Sequence, residues 1–299
     1  MVDFIHNNKD RYGVEAICRI LPIAASTYYR TLDLADNPEH RAKRALHDLH
    51  HAEQIKRIWK ESLGRYGVRK VWQQLKREGY VIARCTVARL MQKLGIQGVW
   101  RGKNKQTTRS RDDQKRADDL VKRNFNADHP DQLWVADFTY IQTHSGWVYT
   151  AFIIDVFSRA IVGWKVSTRM NTDMVLDALE QALHDRGMPK NVIHHSDRGV
   201  QYLSIRYTNR LEAANLRASV GTTGDSYDNA LAETVNGLYK TEVIEYLKAD
   251  WQGLADVQLA TLNWVDWFNK ERVHSALGYV SPFEFEAMYY DKINPLGQV

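Results

Sequence analysis

The chain has 299 residues and lacks several features that mark other classes of protein. Its two cysteines, Cys18 and Cys85, lie far apart in the sequence and provide no disulfide framework. No run of about 18 apolar residues occurs, so no segment is a candidate for a bilayer-spanning helix. The first residues, Met1–Arg11, lack the apolar segment of a signal peptide. These absences predict a cytoplasmic protein without a membrane partner.

Charge is unevenly distributed along the chain, although the net charge is only +5. Residues 1–126 hold 27 Lys and Arg against 14 Asp and Glu, whereas residues 127–299 hold 14 against 22. A basic front half is typical of proteins that bind a polyanion, most simply nucleic acid, although a solvated helical surface gives the same excess. The acidic second half is unusual for a protein that only binds DNA and indicates a second module.

Two short helices are predicted in the basic half, because apolar residues recur at helical spacing over Val68–Leu75 and again over Val87–Leu94. Gly79 separates the two segments, and Gly95 is placed to end the second helix. A longer helix over Arg41–Ser62 is expected to support the pair. This pattern predicts a helix-turn-helix, with an ordinary helical hairpin as the alternative.

The polar face of the second helix would present basic side chains to DNA phosphates or base edges. The candidate DNA-binding residues are Arg84, Arg89 and Lys93. An earlier segment, Gly13–Arg30, resembles a smaller helix-turn-helix in which Ser26 is placed to cap the second helix. Residues 101–126 are polar and basic, and we interpret them as a linker that lies along DNA or acts as a plain tether.

The second half of the chain changes to the period of β-strands. Strands are predicted over Gln132–Ile141, Trp147–Val156, Ala160–Ser167, Asn191–His195 and Leu216–Val220, and helices over Asn171–Arg186, Leu203–Ala214 and Asp228–Tyr246. The order βββαβαβα is that of a ribonuclease-H-like fold, an α/β mixed sheet with helices on both faces. The sequence therefore predicts an all-α helix-turn-helix region over 1–100, a linker over 101–126 and a catalytic core over 127–290.

Three acidic residues are expected to converge in this topology. Asp137 interrupts an apolar strand, Asp197 follows the end of the fourth strand, and Glu233 lies in the late helix. A cluster of carboxylates is unfavourable unless a cation occupies it, and such hard oxygen ligands suit Mg²⁺ or Mn²⁺. Two such ions about 4 Å apart would activate a nucleophile and stabilise the leaving oxygen at phosphorus.

Other polar and aromatic residues have competing interpretations. Asn229 either caps the late helix or supports the carboxylate site, and His194 and His195 are expected to be strand-end residues rather than ligands. Three aromatic residues near the C-terminus are predicted to lie in the core of a helix, with a base-stacking surface as the alternative: Trp264, Trp267 and Phe268. His50, His51 and Cys85 lack the spacing of a tetrahedral zinc site.

Six stretches carry a resemblance to a known family. They are RYGVRKVWQQLKREGY, LWVADFTYI, YTAFIIDVFSRAIVGW, HHSDRGVQY, DSYDNALAETVNGLYKTE and WFNKERVHSALGYVSPFEFE. With these motifs in order, the chain resembles the catalytic protein, OrfB, of insertion sequence 3 family transposases in the retroviral integrase superfamily. The resemblance implies that Asp137, Asp197 and Glu233 are the metal-binding Asp-Asp-Glu triad. It also implies that Lys240, seven residues after Glu233 and near the same helix face, contacts DNA.

The resemblance also implies an activity and partners. A metal-dependent transposase would cleave the ends of the element and join 3′ hydroxyl groups to phosphates through a circular intermediate. Double-stranded DNA, the upstream OrfA protein or an OrfAB fusion, and further copies of the chain are the expected partners, in a bacterial nucleoid-associated setting. A non-catalytic regulator and a structure-specific nuclease of the same fold are the alternatives, and the intact carboxylate trio argues against the first.

Overall fold

The computed structural model describes residues 1–100, 121, 125–197, 199–220, 230–247 and 250–294. The helices are α1 (Val2–Tyr12), α2 (Val14–Ile20), α3 (Ala25–Asp36), α4 (Lys43–Glu61), α5 (Val68–Arg77), α6 (Arg84–Lys93), α7 (Thr172–Asp185), α8 (Ile205–Ala213), α9 (Ala230–Tyr239), α10 (Leu254–Lys270) and α11 (Pro282–Ile293). The strands are β1 (Leu133–Thr143), β2 (Gly146–Asp155), β3 (Ile161–Ser167), β4 (Ile193–Ser196) and β5 (Arg217–Val220). Within these ranges, no helix combines the length and the apolar character needed to cross a bilayer.

The first three helices form a small apolar cluster of their own around Ile5, Ile17 and Tyr28. The predicted cap at Ser26 is wrong, because α3 begins at Ala25 and its N-cap is Ala24, two residues before the predicted cap, with an extended backbone and no capping side chain. Ser26 therefore lies inside the first turn of α3, where its hydroxyl group is not in the capping position.

The helix-turn-helix prediction agrees with the described helices α4, α5 and α6. The predicted apolar stripes are buried, with Val71 and Leu75 inside α5 and Val87 and Leu90 inside α6. Gly95 follows the end of α6 with a φ of 65°, the left-handed conformation that favours glycine after a helix. The basic linker over 101–126 lies almost wholly outside the described residues.

The second half forms a five-stranded mixed sheet in the order β3-β2-β1-β4-β5. The first three strands are antiparallel neighbours, whereas β4 pairs parallel with both β1 and β5. Helices α7 and α8 cover one face of this sheet, and α9 and α10 cover the other. The observed order confirms the predicted ribonuclease-H-like α/β fold, in which β1 is the central strand.

The late helix departs from the regular α-helix that the sequence predicted. It is α-helical over Ala230–Tyr239 and continues as a π-helical segment over Lys240–Glu245. Thr241, Glu242 and Val243 are all buried, although three consecutive residues of a regular surface helix cannot all face inward. The wider turn of a π-helix accommodates this burial, and such segments occur frequently near functional sites.

A buried ionic cluster fixes the π-helical segment. Arg272 donates from Nη2 to Glu242 Oε1 at 2.6 Å, and Trp264 Nε1 donates to Glu242 Oε2 at 3.1 Å. Burial alone would raise the pKa of Glu242, but the charge and hydrogen bonds of Arg272 outweigh it and hold that pKa below its usual range. Glu242 is therefore a buried carboxylate that stays ionised because its partners satisfy it.

The front helices pack against this same region of the second half. Arg65, which follows α4, donates from Nε to the backbone oxygen of Glu242 at 3.1 Å. Its guanidinium carbon, Cζ, lies 4.6 Å from the centre of the Trp267 ring. The hydroxyl group of Tyr66 accepts from the Val273 backbone N–H at 2.8 Å. Apolar residues of α4, α5 and α6 consequently share one core with α9 and α10.

The C-terminal motif around residues 269–274 acquires a structural role from these contacts. The side chain of Asn269 accepts from the Ile161 N–H at 2.9 Å and donates to the Ile161 oxygen at 2.8 Å, so it satisfies the backbone where edge strand β3 begins. His274 packs on the Phe268 ring, and burial lowers its pKa to about 2. Trp264, Trp267 and Phe268 are buried, which confirms that they belong to the core.

We expect Glu242→Ala to lower the free energy of unfolding by about 3–5 kcal/mol, because it leaves the Arg272 guanidinium buried without its partner. The double variant Glu242→Leu/Arg272→Met should lose much less free energy of unfolding than Glu242→Ala, because it leaves neither member of the pair buried without its partner. Glu284→Ala is the matched control, since its 2.7 Å ion pair with Arg77 also joins the two halves but lies on the surface and should contribute at most about 1 kcal/mol. Chemical denaturation measures all four proteins, and a double variant that is at least as destabilised as Glu242→Ala would contradict the assigned role of the buried pair.

Candidate active site

Two of the predicted carboxylates lie side by side because of the register between β1 and β4. The last pair of the parallel ladder is Ala136 with Ser196, and the next residues along each strand are Asp137 and Asp197. Parallel neighbours are about 4.8 Å apart, so the two backbones deliver both acids to one point of the sheet. The fourth strand ends there, while β1 continues to Thr143.

Hydrogen bonds fix both carboxyl groups. Asp137 Oδ1 accepts from the Phe138 N–H at 2.8 Å, and Asp137 Oδ2 accepts from Asn236 Nδ2 of α9 at 2.9 Å. Asp197 Oδ1 accepts from the Gly199 N–H at 2.9 Å. The two acids are therefore held by the backbone next to them and, for Asp137, by the helix that crosses the sheet.

The third predicted acid, Glu233, lies on α9 one turn before Asn236 and is solvent-exposed. Burial raises the pKa of Asp137 well above its usual range, and the negative charges of Asp197 and Glu233 raise it further. Burial likewise raises the pKa of Asp197. The structure thus brings Asp137 and Asp197 together and places Glu233 within range of their charge.

The chemistry of these side chains fits a hard divalent cation. Three carboxylates repel one another unless positive charge is added, and carboxylate and amide oxygens are the ligands of Mg²⁺ and Mn²⁺. Asn236 adds a buried Oδ1 that has no hydrogen-bond partner in the described structure. Across the described ranges, however, no three acidic, imidazole or thiol groups are already arranged as a metal site. The residue types therefore fit such an ion, and Glu233 acts on this group through its charge, which raises the pKa of Asp137.

The two histidines next to Asp197 are held by other groups. His194 is buried within hydrogen-bond distance of the Tyr207 hydroxyl, at 3.0 Å, and burial lowers its pKa to about 3. His195 lies 2.9 Å from the Ser219 hydroxyl on the neighbouring strand β5. These contacts agree with the prediction that both are structural residues of the strand.

Lys240 lies at the start of the π-helical segment, and its Nζ is 4.7 Å from the centre of the Tyr140 ring on β1. From Glu233 to Tyr239 the helix is regular, so the predicted relation between Glu233 and Lys240 on one helix face is retained. The other predicted supporting residue, Asn229, lies outside the described residues.

The predicted DNA-binding residues of α6 lie on its exposed surface. Arg84 begins the helix, Lys93 ends it, and both are solvent-exposed. Arg89 is exposed as well, but it donates from Nη2 to Asp48 of α4 at 2.7 Å. Arg84 and Lys93 are therefore exposed to solvent, whereas Arg89 is bound directly to Asp48, on which the charge of Lys93 also acts.

Asn236 is the residue of this site that the sequence interpretation missed. Its spacing from Glu233 is three residues, which places it near the same side of a helix. An asparagine at that spacing on a largely apolar helix is a weak signal by itself. Only the packing of α9 against β1 shows that its amide group contacts Asp137.

Comparisons with known proteins bear on the whole chain. Residues 47–104 match the model of an HTH-like domain, and residues 127–226 and 214–282 match two models of an integrase core domain. The chain is 52% identical to the transposase for insertion sequence element IS629 of Shigella sonnei, over 98% of both chains. It is 50% identical to a putative transposase for IS986/IS6110 of Mycobacterium tuberculosis, over 90% of this chain and 97% of that one. It is 31% identical to transposase InsF for insertion sequence IS3A of Escherichia coli, over 95% and 97%.

In metal-free protein, Asp137→Asn should increase the free energy of unfolding. Above about pH 4 the unfolded wild type loses the Asp137 proton, whereas the folded wild type keeps it because the pKa of Asp137 is raised. The free energy of unfolding of the wild type therefore falls as the pH rises. The advantage of the variant should therefore grow with pH and exceed about 1 kcal/mol at neutral pH. Chemical denaturation in the presence of a chelator, at about pH 5 and at about pH 8, measures the difference in free energy of unfolding between the variant and the wild type. Asp291→Asn on exposed α11 is the control, and an Asp137→Asn protein less stable than wild type at both pH values would refute this account.

Proposed function

The chain belongs to the insertion sequence 3 family of transposases, and from this premise we propose that Asp137, Asp197 and Glu233 are its catalytic Asp-Asp-Glu triad. As a transposase with an integrase core and a helix-turn-helix-like domain, the protein acts on DNA in transposition. The finer proposal is that it cleaves the ends of its element and joins 3′ hydroxyl groups to phosphates with Mg²⁺ or Mn²⁺.

The observation that carries this proposal is the register of β1 and β4, which sets Asp137 beside Asp197 under the helix that bears Glu233. The raised pKa of Asp137 supports it, because acids that repel one another in the free protein are the acids that a cation would hold together. Asn236 supports it as well, since it orients Asp137 and leaves a buried oxygen without a donor.

In this mechanism Asp137, Asp197 and Glu233 would hold the ions as carboxylates, and Asp137, whose pKa is raised, would release its proton when an ion binds. When bound, the ions would supply Lewis acidity for in-line displacement at phosphorus. Asn236 keeps Asp137 in a fixed orientation, and the Gly199 N–H does the same for Asp197. The described residues thus fix two acids firmly, while the exposed side chain of Glu233 completes the set.

DNA would be positioned by two groups of basic residues. Lys240 would hold a phosphate next to the reacting one, as a point charge and not as a metal ligand. Arg84, Arg89 and Lys93 would contact DNA through α6. OrfA or an OrfAB fusion, and further copies of this chain assembled on DNA, are part of the proposal as partners.

The variants Asp137→Asn, Asp197→Asn and Glu233→Gln should each reduce cleavage and joining by more than about 100-fold, because a neutral amide is a poor ligand for a hard dication. Loss of a metal ligand should cost more activity than loss of a residue that only orients a ligand. Activity of the wild type should require Mg²⁺ or Mn²⁺ and disappear with a chelator. Strand transfer with labelled ends of the element measures this.

The control for the triad is Glu245→Gln, an exposed acid in the π-helical segment that should leave joining unchanged. Filter binding in chelator should show that all four variants bind DNA as the wild type does. Joining at the wild-type rate by any triad variant would overturn the assignment, and wild-type cleavage without joining would favour the nuclease alternative.

Arg84→Ala and Lys93→Ala should each weaken DNA binding and reduce the slope of log affinity against log salt by about 0.9 if the side chain neutralises one phosphate. Arg89→Ala should have a smaller effect because Asp48 already shares its charge. Lys292→Ala, exposed on α11, is the control. Fluorescence anisotropy over a salt series makes the measurement, and an unchanged slope in the Arg84→Ala/Lys93→Ala protein would remove α6 from the DNA interface.

A further inference from the structure

Two aromatic side chains lie exposed beside Lys240, although most described aromatic residues of the catalytic half are buried or half-buried. Tyr140 on β1 is 42% exposed, and Trp147 on β2 is 49% exposed. Their rings contact each other edge to face, with centroids 5.3 Å apart, and Lys240 Nζ lies 4.7 Å from the centre of the Tyr140 ring. We call these three residues the aromatic platform.

The platform is held rigidly by the hairpin that carries it. The turn between β1 and β2 is bound to the segment before α10, where the His144 N–H donates to the Trp251 oxygen at 2.9 Å and the Ser145 N–H donates to the Gln252 oxygen at 3.1 Å. The Ser145 hydroxyl donates to the same Gln252 oxygen at 2.6 Å. Exposed rings fixed in this way lose little conformational entropy when a ligand stacks on them.

The platform lies close to the carboxylates along β1. Tyr140 is three residues beyond Asp137, which corresponds to about 10 Å of strand and about three steps of stacked nucleotides. The strand β4 pairs with β1 only as far as Ala136, so this edge of β1 is not covered by another strand of the described sheet. Lys240 comes from the helical segment on the Asp137 face, and its ammonium group lies over the ring of Tyr140, which alternation along β1 places on the opposite face.

We propose that the aromatic platform binds an unpaired nucleobase of the DNA strand whose phosphate enters the carboxylate site. This inference rests on the proposed triad for the position of that phosphate. An exposed indole and phenol offer the apolar faces on which any base stacks, and the adjacent ammonium group offers a partner for the phosphate of the same nucleotide. This combination of rings and one cation fits single-stranded DNA better than a duplex, whose bases are already stacked on each other.

The test compares binding of three DNA probes by the full chain in chelator, so that no reaction takes place. The probes share one duplex and differ in being blunt, in carrying a short unpaired 3′ extension, or in carrying the same extension at the 5′ end. A fluorescent adenine analogue in each extension reports stacking through quenching. Trp147→Ala and Tyr140→Ala should each weaken binding of one extended probe about 10-fold and abolish its quenching, with blunt duplex affinity unchanged.

Conservative variants distinguish stacking from loss of structure. Trp147→Phe and Tyr140→Phe keep a ring and should retain most of the affinity for the extended probe. Phe283→Ala removes an aromatic side chain of similar exposure, 41%, from α11 and should have no effect. Thermal unfolding shows whether each variant is folded. If an alanine variant is not, the comparison of blunt and extended probes with the wild type still tests the platform.

The outcomes separate this inference from the proposed function. Equal binding of blunt and extended probes by the wild type, or wild-type binding of extended probes by Trp147→Ala and Tyr140→Ala, would overturn the platform and leave the triad untouched. Selective, ring-dependent binding of extended probes by a wild type that fails to join DNA in Mg²⁺ or Mn²⁺ would support the platform and refute the proposed catalytic roles. The extended probe that responds identifies the strand polarity at the site.

Discussion

The carboxyl group of Asp137 is the constraint on which the catalytic half of this protein depends. It is an acid in the central strand of a sheet, next to a second acid on the neighbouring strand. Burial and like charge both raise its pKa, so the metal-free site is strained electrostatically. The fold tolerates this because a backbone N–H and the Asn236 amide donate to the carboxyl group. The metal-free protein is therefore destabilised at Asp137 and Asp197, where a bound cation would be stabilising.

A second buried carboxylate has the opposite arrangement. Glu242 is surrounded by donors, with Arg272 and Trp264 on its side chain and Arg65 on its backbone oxygen. The helical region, the π-helical segment and the C-terminal motif therefore meet at one ionised group. Because Lys240 lies two residues before Glu242, the packing that joins the two halves also sets the position of this basic residue.

Much of this organisation was predictable from the sequence. Hydrophobic periodicity predicted the helix pair α5 and α6 and the order of strands and helices along the core, because those patterns reflect which side of each element is buried. The acid in the apolar segment WVADFTYI pointed to a functional site, since an unpaired carboxylate is unfavourable in a buried strand. Ser26 was misplaced as a cap because a capping residue is defined by its backbone conformation, which composition does not fix.

The sequence by itself determined the elements, their order and the residue types able to hold a cation, because periodicity and local chemistry are properties of short segments. Only the tertiary structure decided which of those residues meet. The contact of Asn236 with Asp137, the burial of Glu242 against Arg272, and the exposed position of Tyr140 and Trp147 beside Lys240 all join residues from different elements. Such contacts depend on the register of β1 with β4 and on how α9 crosses the sheet, and both are fixed by packing over the whole chain.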